Sequence, residues 1–148
     1  MNQARLMYTR PLTFSIFLAV FIEIINLVLF SFLTGSSEQL VDKTLWTVGV
    51  GGIGMGAVLG VFLVFALVDQ LEGKQAIIGT IFFSVLILGV VAKLAAIKME
   101  TINIAFNLSE WSLAYFLNGV ITSAIGGAVL GWLLFTKTGN NLLTRFGF

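Results

Sequence analysis

The sequence predicts an all-α membrane protein: four transmembrane helices in two tandem hairpins, related by a pseudo-two-fold axis along the membrane normal. Three observations carry this. The chain of 148 residues is 58% hydrophobic and only 10% charged, with a mean hydropathy of +1.04, whereas soluble domains carry about 25% charged residues. Four apolar stretches, 12–33, 47–68, 76–97 and 112–135, each reach the roughly 20 residues that cross a hydrocarbon core of about 30 Å. Finally, FSIFLAV at 14–20 resembles FSVLILG at 83–89, and MGAVLG at 55–60 resembles GGAVLG at 126–131, at offsets of 69 and 71. A duplicated hairpin crosses twice, so the copies 1–74 and 75–148 face the same way. The loops are short, and the expectation is a single transmembrane domain over 1–148.

The first stretch follows Arg5 and Arg10, as a signal peptide would, but its length of 22 residues exceeds an h-region of about 7–15, and no A-x-A site follows. It therefore reads as the first helix. Glu23 lies near its middle, where a charge costs roughly 2.5–3.5 kcal/mol on the insertion scale, while the apolar residues around it favour insertion by about 5–10. The helix inserts with its acid. Ser15, Ala19, Glu23 and Asn26 share one helical face, which predicts a polar seam turned toward protein, with Glu23 hydrogen-bonded to Asn26 or to another helix.

The second stretch opens on GVGGIGMGAVLG at 49–60. Its first six letters match the G-x-G-x-x-G of a dinucleotide-binding loop, which needs a strand before it and an amphipathic helix after it. The run that follows, AVLGVFLVFALV, has no polar face, and that reading fails. In lipid, glycine serves close packing of backbones instead. At about 100° per residue Gly49, Gly52, Gly56 and Gly60 fall within an arc of about 80°, while Gly51 and Gly54 lie on the opposite side. On the fourth helix Gly119, Ser123, Gly126 and Gly127 make a similar seam, with Gly131 nearby. Helices two and four are therefore the expected inner pair.

The third stretch holds Lys93 near its outer end, on a face with Gly89, Ala92 and Ala96. Its stem can snorkel to the interface. Alternatively it pairs with Asn118 on the fourth helix or with Glu23, although spans measured from the ends of the apolar runs separate Lys93 from Glu23 by roughly 9 Å of depth. Asn118 and Thr122 read as interhelical hydrogen-bonding groups.

The chain has no Cys and no His, which removes disulfides, thiol chemistry and the usual haem and zinc ligands. No metal site or cofactor is expected, and no nucleophile, base and orienting group can be assembled, so the protein is read as not an enzyme. A net charge of +1 predicts no nucleic-acid partner. Arg5, Arg10, Lys74, Lys137 and Arg145 fall on one side of the predicted topology and Lys43 and Lys98 on the other, which puts both termini in the cytoplasm, in a bacterial inner or internal membrane. Glycine-rich duplicated spans invite comparison with the rotor proteolipids of vacuolar-type ATPases. There the glycine-rich helix comes first in each hairpin and the acid lies on the second, the reverse of the order here. Two expectations remain. The first is a non-catalytic subunit or assembly factor of a larger membrane complex, whose Phe-rich outer faces meet partner helices, further copies, lipids or pigments. The second is a small proton- or ion-coupled transporter or channel built on Glu23.

Overall fold

Long apolar segments in lipid must satisfy their own backbone groups, and helices do this within one segment. The structure, a computed structural model, describes residues 3–34, 44–45, 47–65, 73–94 and 112–148, and among these there is no strand. Most of the predicted loops, with Trp46, Lys43, Lys98 and Trp111, and the span ends at 66–68 and 95–97 lie outside the described residues. Helix α1 covers Gln3–Thr34 and α2 covers Thr47–Leu63. Helix α3 covers Gly73–Leu94, α4 Ser112–Phe135 and α5 Lys137–Arg145. Three segments are long and apolar enough to cross a membrane, Tyr8–Leu29, Gly73–Leu94 and Phe116–Phe135, while α2 is a shorter apolar helix. Gly73 enters α3 at φ +60, a left-handed conformation that only glycine adopts without steric cost.

The helices run up, down, up and down. Gly52, Gly56 and Gly60 of α2 lie against the backbones of Val20, Ile16 and Leu12 of α1, a ladder with one rung every four residues. Gly127 and Gly131 of α4 lie in the same manner against Ile81 and Ile77 of α3, and Gly89 of α3 lies against Val120 of α4. The ring closes where Gly126 of α4 takes Leu18 and Ile22 of α1. The dominant pairings are thus α1 with α2, α3 with α4 and then α1 with α4; α2 and α4 make no comparable contact. This corrects the expectation that helices two and four form the inner pair. Each glycine seam faces the other helix of its own hairpin.

Gly49 also departs from expectation, since a Cβ there would meet nothing within 4 Å. The residues Thr47–Gly54 form a π-helix, whose i→i−5 hydrogen bonds turn the chain less per residue. Gly49 is thereby rotated out of phase with Gly52. Gly51 does not open a second direction of approach but faces Glu23 of α1, and a Cβ at Gly54 would meet only the Gly49 carbonyl. A second π-helical stretch spans Val85–Val91 of α3.

Outward-facing positions are large and apolar: Phe17 is 60% exposed, Phe21 62% and Phe65 75%. Inside, Ala19, Ile22, Leu59, Leu88 and Leu130 form the buried cluster.

Helix α5 was not foreseen. Thr136 breaks α4 with an extended backbone, and its hydroxyl accepts from the Gly139 N–H, a standard N-cap. A Cβ at Gly139 would strike the Trp132 and Leu133 backbone, so glycine permits a tight fold-back that buries Leu143. Arg10 of α1 fastens the fold-back by donating to Asn140 Oδ1 at 3.2 Å, Thr144 Oγ1 at 3.1 Å and the Phe148 carbonyl at 2.5 Å. Phe148 meets Phe14 edge-on. Two of the Arg10 bonds are solvent-exposed, so Arg10→Ala should cost only about 1 kcal/mol of global stability. Amide exchange over 137–145 should nevertheless accelerate at least tenfold while the bundle amides stay protected, as hydrogen-exchange mass spectrometry would register.

Candidate functional site

Charge in the middle of an apolar bundle survives only with a partner. Lys93 and Glu23 supply each other's: Nζ lies 2.5 Å from Oε1, with Lys93 0% and Glu23 2% exposed. Lys93 therefore turns into the bundle and does not snorkel outward, which corrects that expectation. The depth mismatch vanishes because both helices start before their apolar runs: Glu23 lies 20 residues beyond Gln3 and Lys93 20 residues beyond Gly73, and the π-helical stretch of α3 shortens the climb to Lys93 further.

Two glycines make room for the pair. A Cβ at Gly51 of α2 would lie 3.2 Å from Glu23 Cδ, and one at Gly119 of α4 would lie 2.7 Å from Lys93 Cε. Each charged side chain thus rests against bare backbone on the second helix of its own hairpin. Next to them Asn118 Nδ2 of α4 donates to Asn26 Oδ1 of α1. Asn26 bonds across the bundle and not to Glu23 as one expectation had it. Thr122 donates to the Asn118 and Gly119 carbonyls of its own helix, so it is not an interhelical tie.

Of the residues singled out in the sequence, Glu23, Asn26, Lys93 and Asn118 come together at the bundle centre, joining α1, α3 and α4. Gly52, Gly56, Gly60, Gly127 and Gly131 line the hairpin seams, Gly119 seats the lysine, and Gly49 stands apart. Ser123 is buried, and its hydroxyl, like those of Ser15 and Ser84 and the Nδ2 of Asn26, has no hydrogen-bond partner among the described residues. Thr80, by contrast, donates to the Ala76 carbonyl one turn back. No cluster of three His, Cys, Asp or Glu side chains occurs among the described residues.

The ion pair was legible in the spacing of the similar stretches. Glu23 and Lys93 are 70 residues apart, between the offsets of 69 and 71 that relate those stretches. That spacing sets them at corresponding heights, each 20 residues into its helix.

Asn118→Leu is expected to cost about 1 kcal/mol, because it leaves the Asn26 carbonyl oxygen without its donor in an apolar bundle. The double variant Asn26→Leu/Asn118→Leu should recover that loss in SDS-titration unfolding. No family model, curated protein or solved structure matches the chain, so the chemistry of the site has to be read from its own atoms.

Proposed function

We propose that the chain is a non-catalytic integral membrane subunit or assembly factor of a larger membrane complex. In this reading four helices span a bacterial inner or internal membrane, as two duplicated hairpins with both termini in the cytoplasm. The observation that carries it is the closed Glu23–Lys93 contact: the intramembrane acid is engaged in holding α1 to α3 and presents no open carboxylate to a substrate. The polar groups are turned inward and the aromatic side chains Phe17, Phe21 and Phe65 outward, a surface fitted to lipid, partner helices or further copies. Two facts support the four-span hairpin arrangement. Gly56 lies against Ser15 as Gly127 lies against Ser84, and the start of α1 and the end of α4 meet at one end of the bundle through Arg10 and α5. Purification from native membranes in a mild detergent tests the assignment: other membrane polypeptides should accompany the chain in constant ratio. A homogeneous preparation of this chain alone would overturn it.

A small proton-coupled transporter is the second reading. It is favoured by the unpartnered buried hydroxyls of Ser15, Ser84 and Ser123, which internal water would satisfy, and by the direct Nζ to Oε1 contact, along which one proton shift interconverts ionic and neutral pairs. Liposomes holding the protein should then show pH-driven flux that Glu23→Gln abolishes; flux indifferent to that change rejects it.

A further inference from the structure

We propose that the Glu23–Lys93 pair is a sorting lock: it makes the hairpin of residues 1–74 the specific partner of the hairpin of residues 75–148 and repels like from like. The inference rests on the two-hairpin bundle and not on what the bundle serves, so it stands even if no other subunit co-purifies.

The apolar seams cannot do this sorting. In both hairpins a glycine of the second helix sits on a serine turn of the first, Gly56 on Ser15 and Gly127 on Ser84. Those seams act inside each hairpin, by the close packing of small residues on which association in lipid depends, and give one hairpin no means of choosing the other. Between the hairpins Gly126 receives Leu18 and Ile22 and Asn118 meets Asn26, and the strongest difference at this interface is the charge. Glu23 belongs to the first hairpin and Lys93 to the second, 70 residues on, at corresponding heights. Two first hairpins would bring carboxylate to carboxylate, and two second hairpins ammonium to ammonium, in a core where both side chains are almost wholly buried. A repulsive element of this kind is how specificity is commonly enforced among otherwise similar surfaces. The pair also joins α1 to α3, which are not among the dominant helix pairings, so it bridges the two hairpins across the bundle.

Both ends of the lock have a glycine socket, Gly51 beside Glu23 and Gly119 beside Lys93. Either position therefore has space for either charge, and the lock should be reversible. The test uses full-length chains in mild detergent. Glu23→Lys and Lys93→Glu, each alone, should lower Tm by roughly 10 °C. The double reversal Glu23→Lys/Lys93→Glu in one chain should regain most of that loss. When differently tagged Glu23→Lys and Lys93→Glu chains are co-expressed, exchange of hairpins between chains sets opposite charges against each other at both contacts. The two chains should then co-purify well above the level of two tagged unsubstituted chains, with Tm restored. A double reversal as impaired as the single variants, or mixed chains that associate no more than unsubstituted ones, would overturn the proposal.

Discussion

Replacing Lys93 with Met is expected to destabilise the folded bundle by about 3–5 kcal/mol, because it leaves the buried Glu23 carboxylate without its cation. Glu23→Gln should cost a similar amount by removing the carboxylate that faces the buried ammonium. Removing both together, as Glu23→Gln/Lys93→Met, should restore at least half of the loss, since an apolar or neutral replacement of an ion pair avoids the dehydration of two charges. SDS-titration unfolding of the four proteins forms a double-mutant cycle, and a coupling energy of several kcal/mol is the expected outcome. Additive losses would mean that the 2.5 Å contact contributes nothing to stability.

Gly56→Val should cost about 3 kcal/mol or more. A Cβ at position 56 would stand 2.7 Å from Ile16 Cα and 3.0 Å from the Ser15 carbonyl oxygen. Those are backbone atoms that cannot swing aside, so α1 and α2 must part, and the contacts at Gly52 and Gly60 weaken with them. Gly49→Ala is the matched control. Nothing lies within 4 Å of its Cβ, and replacing a helical glycine by alanine should be neutral or stabilise by about 0.5 kcal/mol. Thermal unfolding in detergent distinguishes the two, and equal effects would contradict the ladder.

The helical class was legible because apolar runs of this length have few alternatives in lipid, and α4 begins and ends where its apolar run does. Partner choice was not. The glycine pattern of α2 says that something approaches closely, but angular position alone does not say which helix, and the π-helical turn at Thr47–Gly54 shifts the phase on which such an argument depends. Helix α5 escaped because it lies past the last apolar run and its nine residues are few for a helix on its own; its amphipathic spacing, and Thr136 three residues ahead of Gly139 as a hydroxyl placed to cap, were the available clues. The four central polar residues stood out individually, since Glu23, Asn26, Lys93 and Asn118 all interrupt apolar helices. Their pairing was obscured by taking depth from the ends of the hydrophobic runs, which vary with the flanking residues, when the near-equal offsets between the similar stretches offered a better ruler.

The distance in sequence between Glu23 and Lys93 also has a bearing on biosynthesis. The acid leaves the ribosome 70 residues before the base, and at about 5–20 residues per second this is a wait of roughly 4–14 s. Until α3 emerges, the nascent first span carries its acid without that partner, at a cost its apolar residues outweigh, and the pairing is completed in the second half of synthesis.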